Sequence, residues 1–194
     1  MKNYAKPGEV MYHVGLSKEM LQGAKYALVP GDPGRVEGLA KAVDPGAVYL
    51  ASHREFTSWL ARVKGEPVLV MSSGMGGPCI TFVVEELGRL GVTTFIRVGT
   101  TGSLQESLNL GDVVISKAAV RMDGAGRAYA PIEYPAVADL DVTVALRAGA
   151  ICGVVAKRTD SEAVAPPEVY RVAEKRFQAV AKRALEKLIE ADKA

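Results

Sequence analysis

The chain has 194 residues, of which 48% are hydrophobic, and its 24 Lys and Arg against 22 Asp and Glu give a formal net charge of +2. This composition is typical of a globular protein with a sizeable core, and a charge so close to zero argues against a nucleic-acid partner. Two cysteines and two histidines give no metal-ligand spacing, and no apolar run reaches the roughly 18 residues of a membrane span. We therefore expect a single cytoplasmic domain over residues 1–194, with no metal, no membrane contact and two buried free thiols.

Continuous apolar runs predict strands that are covered on both faces. In chain order they span residues 26–30, 47–52, 56–63, 67–73, 93–99, 112–120 and 151–157.

Helical periods fall between and after these runs. Residues 78–90 place Pro78 in a first helical turn and Gly91 at the C-cap. The apolar face predicted for this helix comprises Ile80, Val83, Val84, Leu87 and Leu90. A long amphipathic helix follows Pro166 and Pro167, and its predicted buried stripe is Val169, Val172, Ala173, Val180, Ala181, Ala184, Leu185 and Leu188. A helix that leads into a strand at residues 93–99 predicts an α/β fold.

Arginine follows or interrupts several predicted strands. Ligands of α/β sheets bind beyond the carboxyl ends of strands, and arginine pairs well with phosphate. The stretch LVPGDPGR places Gly31 and Arg35 after the first strand, and Arg54 lies in ASHREF. Arg97 stands between apolar residues of TTFIRVGTTGSL, just before a predicted turn over residues 99–102. Because a buried guanidinium is costly without an anion, this pattern indicates an anion site.

Each of these residues also has a simpler interpretation. Gly-Asp-Pro-Gly is a common turn signature, and Arg54 alone is consistent with a solvated charge. Arg97 has an alternative partner in Glu85 or Glu86, as an internal ion pair.

Five segments together resemble the hexameric, trimer-of-dimers nucleoside phosphorylases, and within them the branch that acts on uridine. These segments are VPGDPGRVEGLA, ASHREFTSWLARVKGEPVLVMSSGMGGP, EELGRLGVTTFIRVGTTGSLQ, GDVVIS and APIEYPAVADL. The resemblance implies a three-layer αβα fold with a mixed, largely parallel central sheet. It also implies cleavage of uridine by phosphate to give uracil and ribose 1-phosphate.

The resemblance also implies roles for individual residues. Phosphate binding is implied for Gly31, Arg35, Arg54, Arg97, Gly99 and Thr100, with Arg54 reaching the site of a neighbouring subunit. Nucleoside binding is implied for His13, Thr100, Thr101, Gly102 and Arg158. His13 would contact the ribose 5′-hydroxyl, and Arg158 would stabilise the departing uracil. The residues for which the resemblance implies a catalytic role are Arg97, Thr100 and Arg158. No cofactor is expected beyond the substrate phosphate, although Glu55 matches an acid that holds a monovalent cation at the dimer interface in some relatives.

One segment of the family pattern has no counterpart. On length alone about sixty to eighty residues are absent near residues 146–150, including the Gln, Arg and Glu-Met-Glu that read the base and ribose in relatives. Either the molecule carries further residues at this junction, or the gene product is shortened. The alternatives are therefore phosphorolysis of a purine or another nucleoside, hydrolysis by water, and a non-catalytic phosphate- or nucleotide-binding remnant. The presence of Arg35, Arg54 and Arg97 together argues against a hydrolase, because hydrolysis by water needs no residues that bind phosphate.

Overall fold

The computed structural model describes residues 4–138, 150–159 and 165–193, which form two compact units. The first unit comprises Met1–Ile96 and Ala118–Val137, and the second comprises Arg97–Lys117 and Ala138–Ala194. The junction predicted to lack a segment lies largely outside the described residues, because only Ala150 of residues 146–150 belongs to them.

Four strands lie wholly in the first unit's part of the main sheet, in the order β2-β3-β4-β1. They are β1 (Tyr26–Pro30), β2 (Val48–His53), β3 (Phe56–Val63) and β4 (Glu66–Met71). β1 runs parallel to β4, whereas β2, β3 and β4 form an antiparallel meander. Every residue of β1 is buried, as its uninterrupted apolar sequence predicts.

Two α-helices of the first unit follow strands: α1 (Val36–Val43) after β1, and α2 (Gly77–Leu90) after β4. Pro78 occupies the first turn of α2, and Gly91 ends the helix at a φ of 109°, which L-residues with a side chain rarely adopt. Both predicted ends of α2 are thus confirmed to within one residue. Short 3₁₀ turns (Pro33–Arg35, Ala125–Ala128) and a small hairpin of β7 (Ala118–Ala119) and β8 (Ala136–Val137) complete the described part of this unit.

The core of the first unit forms where α2 packs against the N-terminal segment and the strands. Val83, Leu87 and Leu90 of α2 are buried in it beside Leu16 and Phe56. Val84 is 42% exposed, so its predicted place on the buried face is wrong. The buried stripe instead includes Glu86, which is 9% exposed.

The described part of the second unit contains three strands in the order β5-β9-β6, namely β5 (Thr94–Ser103, from Arg97 onward), β6 (Val113–Ser116) and β9 (Ala150–Lys157). β5 pairs parallel with β9, and β6 pairs antiparallel with β9. The predicted turn at residues 99–102 is wrong, because Gly99, Thr100, Thr101 and Gly102 all pair with β9. Pairing with a distant strand therefore overrides the local turn signal of two glycines.

A long helix, α3 (Pro167–Asp192), packs against β9. Its buried residues are Ala173, Phe177, Ala181, Ala184, Leu185, Leu188 and Ile189. The predicted helix and most of its predicted buried stripe are confirmed. Val172, however, is 47% exposed, and Phe177, which was not predicted to be buried, is buried. Gly153 of β9 lets the helix approach, since a Cβ there would lie 3.0 Å from both Ala173 Cβ and Phe177 Cδ1.

The fold class is confirmed as α/β, with parallel and antiparallel strand pairs in mixed arrangement. Helix α1 was not predicted from the sequence. No helix in the described ranges is both long and apolar enough to cross a membrane.

Candidate active site

The carboxyl end of β1 carries the first predicted anion-binding turn. Asp32 accepts a hydrogen bond from Gly34 N at 2.9 Å and so caps the 3₁₀ turn that contains Arg35. Arg35 Nε lies 3.9 Å from Asp32 Oδ2. An ion pair of this length with a largely exposed carboxylate contributes at most about 1 kcal/mol.

The hairpin between β2 and β3 presents Arg54. His53 pairs with Phe56, so Arg54 and Glu55 form a two-residue loop, called here the hairpin tip. Arg54 is exposed and adopts a φ of 55°, a conformation that favours glycine. Lys64 has a φ of 50° in the two-residue loop between β3 and β4, so this conformation belongs to the tight hairpin turn and is not specific to Arg54.

Ser72, just after β4, holds the hairpin tip in place. The buried Ser72 hydroxyl donates to Glu55 O at 2.6 Å and accepts from Thr57 N at 2.8 Å. The next residue, Ser73, donates its N–H to Pro30 O at 2.8 Å. Residues 72–73 therefore tie the hairpin tip to the carboxyl end of β1, which precedes Gly31.

The Glu55 carboxylate contacts α2. The Cys79 thiol donates to Glu55 Oε1 at 3.4 Å, and a Cβ on Gly74 would lie 2.7 Å from Glu55 Cγ. The pKa of Glu55 is held below its ordinary value by its own backbone N–H and then by the Cys79 thiol. Burial and the neighbouring Glu55 raise the pKa of Cys79. The described residues contain no cluster of three His, Cys, Asp or Glu for a metal, and the monovalent cation at Glu55 stays a prediction.

His13 lies against α2, where Glu86 binds it. Glu86 Oε1 is 2.5 Å from His13 Nδ1, and Glu86 Oε2 accepts from His13 N at 3.1 Å and Val14 N at 2.9 Å. The imidazole stacks on Phe82 with ring centroids 3.9 Å apart, and Tyr12 packs edge-on against it. His13 is thus fixed at its ring face and at one ring nitrogen.

Arg97 lies in the second unit, on β5. Its Nη1 donates to Val98 O at 2.6 Å, and the guanidinium lies over Gly99, where an added Cβ would be 3.2 Å from Nη1. Gly99 therefore provides the space that the guanidinium occupies. Arg97 is half-buried rather than buried, and its charge counteracts the effect of burial, which raises the pKa of Cys152.

The residues after Arg97 lie near the end of β9. Thr100 Oγ1 is 3.3 Å from the Tyr170 hydroxyl of α3. Arg158 donates its backbone N–H to Ser103 O at 2.8 Å, and a Cβ on Gly102 would lie 3.1 Å from Arg158 Nε. Gly102 thus allows the exposed Arg158 side chain to lie across β5.

A cavity of about 240 Å³ borders α2 and is lined by Ile80, Thr81, Val84, Glu85 and Tyr129. None of the predicted site residues lines it, so it is separate from the candidate site.

The predicted site residues divide between the two units. Gly31, Arg35, Arg54 and His13 belong to the first unit, and Arg97, Gly99, Thr100, Thr101, Gly102 and Arg158 to the second. Sequence reasoning missed the roles of Ser72 and Tyr170, and considered Glu86 only as a partner of Arg97. One signal for Glu86 was present, because a glutamate on the buried face of an amphipathic helix needs a partner.

Comparison with known proteins gives the family. The model of the family described as the phosphorylase superfamily matches residues 25–166. The chain belongs to the phosphorylase superfamily.

Individual relatives agree with this assignment. The chain is 54% identical over 136 residues to uridine phosphorylase of Escherichia coli, which covers 70% of this chain and 53% of that protein. It is 48% identical over 123 residues to uridine phosphorylase of Thermococcus kodakarensis, covering 63% of this chain and 44% of that protein. It is 40% identical over 122 residues to guanosine phosphorylase of Halorubrum lacusprofundi, covering 63% of this chain and 50% of that protein. The chain thus spans about half the length of these curated relatives.

Proposed function

We propose that this protein cleaves uridine with inorganic phosphate, giving uracil and ribose 1-phosphate. The observation that carries the proposal is the 54% identity to uridine phosphorylase over 136 residues. Arg35, Arg54 and Arg97 support it, because phosphorolysis needs an oriented phosphate and hydrolysis does not.

We propose phosphate binding for Gly31, Arg35, Arg54, Arg97, Gly99 and Thr100. Guanidinium groups donate paired hydrogen bonds to phosphate oxygens and hold the anion in one orientation. The Arg97 side chain, already fixed by Val98 O and Gly99, needs little reorganisation to do so. Orientation is decisive, since phosphate is a weak nucleophile and gains mainly from being held beneath the sugar.

In the proposed reaction a phosphate oxygen forms a bond to the anomeric carbon while the glycosidic bond breaks. The electron pair of that bond leaves with the base, which departs as the uracil anion and then takes a proton from water. Arg158 is proposed to stabilise the negative charge on the leaving uracil, with Thr101 and Gly102 bordering it. His13 is proposed to bind the ribose 5′-hydroxyl.

We also propose that the protein works in the cytoplasm as a dimer-based homo-oligomer, with Arg54 and His13 completing a neighbouring subunit's site. The two free cysteines and the exposed side chains of Tyr12 and Met75 support this arrangement.

Two further candidates have specific support. Cleavage of a purine nucleoside is supported by the 40% identity to guanosine phosphorylase. A non-catalytic phosphate- or nucleotide-binding role is supported by the coverage of only 53% of the Escherichia coli relative.

A substrate panel tests these candidates. Uridine, guanosine and inosine are incubated with the purified protein, with and without phosphate, and base release is followed by absorbance. We expect uracil release that requires phosphate, and slower or no release of purines. Faster purine release would favour the guanosine phosphorylase alternative, and no release by folded protein would favour the binding role.

A further inference from the structure

Glu86 is a buried carboxylate that binds the segment around His13. One oxygen, Oε2, accepts from the backbone N–H groups of His13 and Val14 at 3.1 and 2.9 Å. The other, Oε1, is 2.5 Å from His13 Nδ1. His13 N also lies 3.3 Å from Oε1, but both of the shorter backbone bonds go to Oε2, so Oε1 is the oxygen that faces the imidazole.

The partner of Nδ1 determines where the imidazole carries its proton. A carboxylate only accepts hydrogen bonds, so Nδ1 must donate to it. In the neutral imidazole the other nitrogen, Nε2, then has a lone pair and accepts. Nε2 has no hydrogen-bond partner among the described residues, and the His13 side chain is 28% exposed.

The ring keeps Nδ1 on Glu86, because a half-turn about the Cβ–Cγ bond would place Cδ2 there instead and lose that hydrogen bond. It stacks on Phe82 at an interplanar angle of 16°. The backbone carbonyl of His13 accepts a hydrogen bond from His53 Nδ1 at 3.0 Å, and the backbone N–H of His13 donates to Glu86. Backbone and ring are therefore both fixed, and Nε2 faces away from Glu86.

We propose that Glu86 is a positioning residue that makes His13 Nε2 a hydrogen-bond acceptor, so that the site selects a hydroxyl group that donates. The identity of that hydroxyl rests on the proposed function, in which it is the ribose 5′-hydroxyl of the nucleoside. An ionised 5′-phosphate presents only acceptor oxygens, so the same polarity disfavours nucleotides. Glu86 thereby contributes to the choice of nucleoside over nucleotide.

Glu86→Gln inverts this polarity at constant shape. The single amide oxygen of Gln has to face the two backbone N–H groups, because the NH₂ group cannot accept from them. The NH₂ group then faces Nδ1 and donates to it, which moves the imidazole proton to Nε2. Glu85→Gln is the matched control, since it makes the same change at the exposed preceding position of α2.

The kinetic test compares uridine with 5′-deoxyuridine, which lacks the 5′-hydroxyl. We expect Glu86→Gln to lower kcat/KM for uridine by about tenfold or more, and to leave that for 5′-deoxyuridine within about twofold, since no 5′-hydroxyl is there to be mismatched. Glu85→Gln should change neither. An equal loss on both substrates would indicate a merely structural Glu86 and would overturn the inference, as would no loss.

A second measurement decides the inference without turnover. The ¹⁵N resonances of the His13 ring report which nitrogen carries the proton, in wild type free of substrate at alkaline pH. We expect a protonated Nδ1 and an unprotonated Nε2; a proton on Nε2 would overturn the inference even if Glu86→Gln failed to fold. If wild-type protein shows this state but cleaves no uridine, the proposed phosphorolysis fails while the polarity of His13 stands.

Discussion

The predicted phosphate ligands that follow β1 and those that lie within β5 are positioned in different ways. After β1 the chain turns at once, because Asp32 caps the 3₁₀ turn that holds Arg35. β5 instead stays extended past Arg97 and Gly99 to Ser103, paired with β9 throughout. The ligands after β1 are positioned by residues adjacent in sequence. The ligands within β5 are positioned by pairing with β9, a strand from a distant part of the chain.

The charges around the two sets of ligands also differ. In the first unit both arginines that are predicted to bind phosphate have a carboxylate close by in sequence. Asp32 lies three residues before Arg35, and Glu55 follows Arg54. In the second, Arg97 donates to a backbone carbonyl and lies over a glycine. Because Arg97 is half-buried and held by this bond, it should need less reorganisation to hold phosphate than the exposed Arg54. Substitutions in each set test this difference.

Arg97→Ala should have the largest effect. It removes a half-buried guanidinium that Val98 O holds in place, and we expect kcat/KM for phosphorolysis to fall by about 10²–10³. Because Arg97 is only half-buried, the melting temperature should change by a few degrees at most. Steady-state assays and thermal denaturation measure the two quantities.

Arg183→Ala is the control for Arg97→Ala, since Arg183 is an exposed arginine of the same unit. It should leave both rate and stability unchanged. Activity of Arg97→Ala near the wild-type level would show that Arg97 does not bind phosphate.

Ser72→Ala should have an intermediate effect, in the first unit. It removes the hydrogen bond to Glu55 O of the hairpin tip and the one from Thr57 N of β3, and we expect the free energy of unfolding to fall by about 1–3 kcal/mol. The loosened tip presents Arg54 less well, so KM for phosphate should rise by about three- to tenfold. Ser58→Ala removes a buried serine hydroxyl of the same hairpin that donates to Ala51 O, two residue pairs away from the pair that closes the tip.

We expect Ser58→Ala to reduce stability with no change in KM for phosphate. If both variants raise that KM equally, Ser72 serves stability alone and does not position Arg54.

The smallest expected effects are on the alkylation rates of the two thiols, Cys79 and Cys152. These rates report directly on the charges of Glu55 and Arg97. Cys79 lies beside Glu55, and Cys152 is influenced by Arg97. Burial raises the pKa of both thiols, so both should alkylate with a midpoint at higher pH than a free cysteine. Removing the negative charge in Glu55→Gln should lower the pKa of Cys79 and speed its alkylation at pH 8 a few-fold.

Arg97→Met should act in the opposite direction on Cys152. Loss of the positive charge should raise the pKa of Cys152 further and slow its alkylation at pH 8. Peptide mass spectrometry of iodoacetamide-treated protein measures both rates, and shifts in the same direction for the two thiols would contradict the charge assignment.

The two regions also show what the sequence can predict. The ends of α2 follow from Pro78 and Gly91, whose backbone requirements are local. The extension of β5 depends on β9, far along the chain, so the two glycines and two threonines of residues 99–102 gave the wrong indication of a turn. Helix α1 is short and contains Gly38, which weakens its helical signal.

The candidate site follows the same division. A guanidinium within an apolar run drew attention to Arg97, and turn chemistry to Gly31 and Arg35. The contacts of Ser72 with the hairpin tip and of Glu86 with His13 join residues distant in sequence. A single sequence gives no register for such contacts, so only the structure reveals them.

The most direct test of the proposed phosphorolysis is ³¹P NMR of purified protein with uridine and inorganic phosphate. We expect the resonance of inorganic phosphate to decline while that of ribose 1-phosphate grows, in step with uracil release. Uracil release with an unchanged phosphate resonance would mean attack by water and would contradict phosphorolysis. An unchanged spectrum without uracil, from protein shown to be folded, would contradict it as well.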